Sequence, residues 1–223
     1  MTLYELATLK ALAPVQVDQR LDGIPKASVA ARLAVIYLLD RKPEKALGIL
    51  RNSKQTRLPD DLLAQRSLLE ARALGDLKQY DQGLELIAAD DSAEAKRLRA
   101  DLFWQAQRWP EAGAKDEELV GARFADNKPL SDSERMDLMR AAVAYSLAGD
   151  MASLGRLRTR FGAKMAASVD ARSFDIVTQG LDTSGVDYRT LVKRLASVDM
   201  LEAFMKDFRA HYGAGGLNRT ITN

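Results

Sequence analysis

A short pattern that recurs along the chain constrains its fold more than any other feature. In "EARALGDLKQYDQGLELI", residues 70–87, a small residue (Ala71) is followed by an apolar one three positions on (Leu74), a bulky one at nine (Tyr80) and a small one at twelve (Gly83). The same spacing returns as Ala34, Tyr37, Pro43 and Ala46, as Ala100, Phe103, Trp109 and Ala112, and more loosely as Ala142, Tyr145, Met151 and Leu154. The leading alanines are separated by 37, 29 and 42 residues. Two helices joined by a tight turn approach closely only where small side chains face each other, with bulky ones filling the space one turn away. One such pair cannot cover its own apolar face, so pairs must stack on neighbours.

Boundary signals fit this reading. "DSAE" (91–94) and "SDSE" (131–134) each place a capping side chain three residues before a glutamate. Pro59 suits a first helical turn, and Pro43 and Pro110 fall where the second helix of a pair should start. The spacing predicts helices over 2–12, 14–22, 26–40, 43–52, 59–75, 80–88, 92–106, 109–121, 131–148, 151–161 and 163–179. Residues 121–132 form the longest stretch without periodicity and read as the one substantial loop. Leu191, Leu195, Val198, Leu201, Phe204 and Phe208 recur at helical spacing, with a break expected near Ser197. This C-terminal element is expected to cap the last pair. No run alternates as a strand does. The fold class predicted is therefore all-α, with one repeat domain over 1–212 and a glycine-rich tail over 213–223.

Composition excludes several functions. The net charge is +2, with 22 basic against 24 acidic side chains in 1–150 and 11 against 7 in 151–223. Neither balance makes a nucleic-acid footprint. There is no cysteine, hence no disulfide framework and no thiolate metal site. The most apolar stretch carries Arg32 and is too short to span a bilayer. The first fourteen residues lack the basic and apolar regions of a signal peptide. The absence of cysteine suits either the cytoplasm or the periplasm.

Catalytic patterns are missing. His211 is the single histidine, which rules out histidine-based triads and multi-histidine metal centres, and it reads as a partly exposed residue at a helix C-terminus. "GAGGLNRT" (213–220) lacks the lysine and the following helix of a phosphate loop. No G-x-S-x-G is present. Asp60 with Asp61 and Asp90 with Asp91 sit where helices begin and anions are favoured, while Asp116, Glu117 and Glu118 read as a solvated face beside Lys115. Arg156, Arg158, Arg160 and Lys164 likewise read as an outer face. No enzyme activity and no cofactor are expected.

The segments "VAARLAVIYLLDRKPEKAL", "LLEARALGDLKQYDQGLELIAADDS", "RLRADLFWQAQRWPEA" and "MRAAVAYSLAGD" resemble the C-terminal region of large tetratricopeptide-type proteins of alphaproteobacteria, over roughly residues 15–210. The repeat length of that class is about 34. The resemblance implies an α-solenoid of degenerate repeats with a protein-interaction role, and no reaction. The chain departs from the usual repeat in its uneven spacing and in lacking the tryptophan early in the first helix. In such a fold the first helix of each pair lines a concave face, which puts Leu68, Arg72, Gly75 and Asp76, then Arg97, Asp101, Trp104 and Gln105, on the inside. Of these, Arg72, Asp76, Arg97, Asp101, Trp104 and Gln105 form the candidate partner-binding patch, since tryptophan beside arginine is a common hot-spot composition. A protein or peptide partner is the first reading. Self-association and a helical domain attached to an enzyme, with an unrecognised carboxylate site, are the alternatives.

Overall fold

The computed structural model describes residues 22–179 and 200–212, and every regular element among them is helical. The elements are α1 (Gly23–Leu39), α2 (Pro43–Asn52), α3 (Asp60–Asp76), α4 (Tyr80–Leu86), α5 (Ala93–Gln105), α6 (Trp109–Val120), a 3-10 turn (Arg123–Ala125), α7 (Asp132–Ala148), α8 (Met151–Ala166), α9 (Ala171–Thr178) and α10 (Met200–Tyr212). The predicted helices at 2–12 and 14–22, the break near Ser197 and the tail at 213–223 lie outside the described residues. One prediction is corrected: α8 runs unbroken through Gly162 to Ala166, and a shorter helix follows from Ala171, where a single helix over 163–179 was expected. Apolar spacing carries α8 past the predicted end, since Leu154, Leu157, Phe161 and Met165 are all buried on one face.

Four turns have the same construction. Seven residues after each leading alanine the backbone is left-handed, at Arg41, Lys78, Gln107 and Gly149, with φ of 55°, 61°, 58° and 68°. In each turn this residue's N–H donates to the carbonyl three back, and the next N–H donates to the carbonyl five back, all at 2.8–3.1 Å. That pair of bonds is a Schellman motif, which satisfies carbonyls a helix end would otherwise leave open. The acceptors of the longer bonds are Tyr37, Leu74, Phe103 and Tyr145, the second position of the sequence pattern. The third position, Pro43, Tyr80, Trp109 or Met151, is the first residue of the next helix in every case. The leading alanines Ala34, Ala71, Ala100 and Ala142 are buried, as are Ala46, Gly83, Ala112 and Leu154. Tyr37, Leu74 and Tyr145 are also buried, while Tyr80, Phe103 and Trp109 are half-buried.

Helix starts follow local chemistry. Ser131 and Glu134 make a complete capping box on α7: Ser131 Oγ accepts the Glu134 N–H at 3.3 Å and Glu134 Oε2 accepts the Ser131 N–H at 2.7 Å. At α5 the cap falls one residue later than predicted. Ser92 Oγ, not Asp91, accepts the Ala95 N–H at 3.2 Å, and Asp90 Oδ1 holds the Ser92 N–H at 2.9 Å. Pro59 stands just before α3 rather than within it, and Asp60 and Asp61 occupy the first turn beside the positive end of the helix dipole. Loop 121–131 is pinned by Arg123, which bonds Asp126, Glu134 Oε1 and the Pro129 carbonyl.

The chain divides into two compact units. One holds residues 22–98 with 200–212, the other 99–179. In the first, α2 packs on α1 and α3, and α3 on α4 and α1. Arg66, buried on α3, binds this layer through backbone: its Nη1 donates to the Ala27 carbonyl at 2.7 Å and its Nη2 to the Leu50 carbonyl at 2.5 Å. The latter lies in the last turn of α2, where carbonyls lack helical partners and favour a cation. In the second unit α7 packs on α6, α8 and α9. Of the C-terminal element expected to cap the last pair, α10 belongs to the first unit and touches α1, while Leu191, Leu195 and Val198 lie outside the described residues. Its apolar spacing was legible, but which face it covers depends on pairings far apart in sequence.

Candidate functional site

Helix α10 is amphipathic. Leu201, Phe204, Met205 and Phe208 are buried, while Glu202, Lys206, Asp207, Arg209 and His211 are exposed. Phe204, Phe208 and Tyr212 stack in sequence with centroids 5.7 and 4.9 Å apart. The surface beneath is made by α1, α3 and the first half of α5. On α3, Arg72 lies under Phe204, with its guanidinium carbon 5.9 Å from the ring centroid. On α5, Arg97 Nε is 3.4 Å from Asp207 Oδ2, and Glu94 Oε1 is 3.3 Å from His211 Nδ1. Burial, and then the charges of Glu94, Asp90 and Asp61, push the Tyr212 phenol above its ordinary pKa. The arrangement is an apolar stripe flanked by an ion pair, Arg97 with Asp207, and a polar contact, His211 with Glu94.

Arg72 is 3% exposed. Its Nη2 bonds Asp76 Oδ1 at 3.0 Å, one helical turn on. Its Nε and Nη1 are buried with no hydrogen-bond acceptor among the described residues.

The second unit has its own buried polar cluster. Arg140 on α7 donates to Asp101 at 2.8 Å and to Asp116 at 3.2 Å, and Asp116 is 0% exposed. Burial works against the charge of Arg140, but Asp116 and Asp101 outweigh it and hold the guanidinium protonated well above its ordinary range. Trp104 covers the cluster, its ring centroid 5.1 Å from the Arg140 guanidinium carbon, and meets Trp109 edge to face at 5.5 Å. The reading of Asp116 as solvated is therefore corrected, because it lies on the same helical stripe as buried Ala112 and Val120, four residues to either side.

The six candidate patch residues divide between the two units. Arg72, Asp76 and Arg97 belong to the first unit, and Asp101, Trp104 and Gln105 to the second. Arg72, Asp101 and Trp104 are buried, and Asp76, Arg97 and Gln105 half-buried. Leu68 and Gly75 are buried as well. Trp104, 7% exposed, is part of the second unit's interior because Arg140, far along the chain, arrives to share its ring face. The basic run of α8 is held by acids of its own unit: Arg156 and Arg160 by Glu117 at 3.2 and 3.1 Å, Arg158 by Asp175 at 2.8 Å and Lys164 by Asp126 at 2.7 Å. Glu117 also accepts the Tyr145 hydroxyl at 2.9 Å. Among the described residues no cluster of three or more histidines, cysteines or acids is placed to hold a metal, and no helix is long and apolar enough to cross a membrane.

Compared with known proteins, the chain matches no family model, no curated protein and no solved structure.

Proposed function

We propose that this chain is a non-catalytic scaffold built from tetratricopeptide-like helix pairs stacked in the manner of an α-solenoid, and that it binds a helical segment of a partner protein. The observation that carries the reading is α10 itself. The face of α1, α3 and α5 accepts an amphipathic helix through four buried apolar side chains and a charged rim, the anatomy of a helix-in-groove contact. The four identical turns support the repeat architecture, since one construction recurs at the same pattern positions despite uneven spacing.

The test is affinity capture with the full chain as bait, set against the same chain carrying Arg97→Glu. That change reverses a rim charge and leaves the buried residues in place. Partners specific to the face are retained by the first bait and lost from the second. Identical capture by both, or capture of small-molecule-processing complexes through another surface, would refute the reading.

A further inference from the structure

The face beneath α10 is imperfectly matched to it. Among the described residues Arg72 is a buried cation with one carboxylate contact and two nitrogens, Nε and Nη1, that have no acceptor. Guanidinium presents five N–H donors in a planar fork suited to a carboxylate. Unpaired donors of a charged group are costly away from water. What α10 places over them is the ring of Phe204, at 5.9 Å from the guanidinium carbon. A ring face offers attraction at that range but no acceptor. The flanking contacts, by contrast, are matched: Asp207 faces the Arg97 guanidinium and the His211 ring nitrogen faces a Glu94 oxygen.

We propose that the external ligand of this face is an amphipathic helix carrying a carboxylate at the register where α10 carries Phe204, and that α10 is the tethered occupant such a helix displaces. This rests on the scaffold reading and names its partner's chemistry. The ligand keeps apolar residues at the positions equivalent to Leu201, Met205 and Phe208, an acid at that of Asp207, and a second acid for Arg72. A helix of this kind supplies the acceptors that α10 lacks, which is how it competes with a segment attached to the same chain.

The experiment uses the full chain and two fluorescein-labelled synthetic peptides of residues 200–212, one of native sequence and one carrying F204E. The F204E peptide is expected to bind more tightly by on the order of tenfold, and R72M in the full chain is expected to abolish the preference. Equal or tighter binding by the native peptide overturns the carboxylate assignment and leaves the helix-binding face standing. Binding of neither peptide overturns both. A second measurement does not depend on peptides. With Arg72 in place, the full chain with F204E is expected to melt above the chain with F204A, and the order is expected to reverse in the R72M background. An order unchanged by R72M overturns the proposal.

Discussion

Gly113 on α6 lies directly against the ring of Tyr145 on α7: a Cβ built on the glycine would stand 2.7 Å from ring Cε1 and 2.8 Å from Cδ1. Tyr145 has little freedom to retreat, because its hydroxyl is bonded to Glu117 and its ring is flanked by Arg156 at 5.9 Å. Gly113→Ala should therefore destabilise the protein by about 1–3 kcal/mol despite the better helix propensity of alanine. Gly155→Ala, where added carbon meets nothing within 4 Å, is the control and should be neutral or stabilising. Denaturant midpoints of the two variants decide the matter, and equal midpoints would contradict the close approach.

Removing the cation from the buried cluster should cost more. Arg140→Met removes the guanidinium that bonds Asp101 and Asp116 in the interior, and breaking a buried pair in this way costs about 3–5 kcal/mol. The loss should be partly recovered when Asp116→Leu is added, since that removes one of the two carboxylates that Arg140 bonded. Thermal unfolding of the single and double variants measures this, and additive losses would argue against direct coupling. Trp104→Ala should cost about 3–5 kcal/mol through lost burial and remove the near-ultraviolet dichroism of the Trp104 and Trp109 pair.

At the left-handed turn residues, gaining and losing a glycine should have opposite effects. Lys78 pays for a conformation that glycine adopts freely, so Lys78→Gly should stabilise by up to about 1 kcal/mol, whereas Gly149→Ala should destabilise by about 1–2 kcal/mol. Chemical denaturation of both variants checks the pair. A destabilised Lys78→Gly would show that the lysine side chain contributes more than its backbone costs.

Asp150 links the last pair's turn to pH. Its carboxylate accepts the Ser153 hydroxyl at 2.6 Å and the Ser153 N–H at 2.9 Å, and these bonds hold its pKa below the ordinary range. Because the folded pKa lies below the unfolded one, the stabilisation is present above the unfolded value and is lost as pH falls through the folded value. Asp150→Asn keeps a capping oxygen without a titrating charge. The stability gap between wild type and variant should hold near neutrality and close below about pH 4, as measured by unfolding across acid pH.

Local chemistry made most helix boundaries readable. Pro43, Pro110 and the Ser131 to Glu134 capping box act within a few residues of where they stand. The recurring spacing placed the four turns, but only at Gly149 does the left-handed residue carry the glycine that marks one. Arg41, Lys78 and Gln107 adopt the same left-handed backbone with no glycine, because main-chain bonds specify the turn and side chains do not. The Trp104 environment was hidden for another reason: its arginine is Arg140, 36 positions away. Asp116 did carry a signal, its four-residue spacing from Ala112 and Val120, but the neighbouring glutamates masked it. Arg72 and Arg97 were legible as members of one face, while the helix that covers them was not.

The return of α10 to the first unit makes that unit discontinuous in the chain, and this has a consequence for biosynthesis. Residues 99–199 must all be translated before the helix that covers Arg72 exists. At about 5–20 residues per second, that is a delay of roughly 5–20 s. Throughout it the nascent chain presents the surface of α1, α3 and α5 that finally buries Phe204 and Phe208. During that interval the surface is open to a helix supplied in trans, which its own chain can match only once residues 200–212 are made.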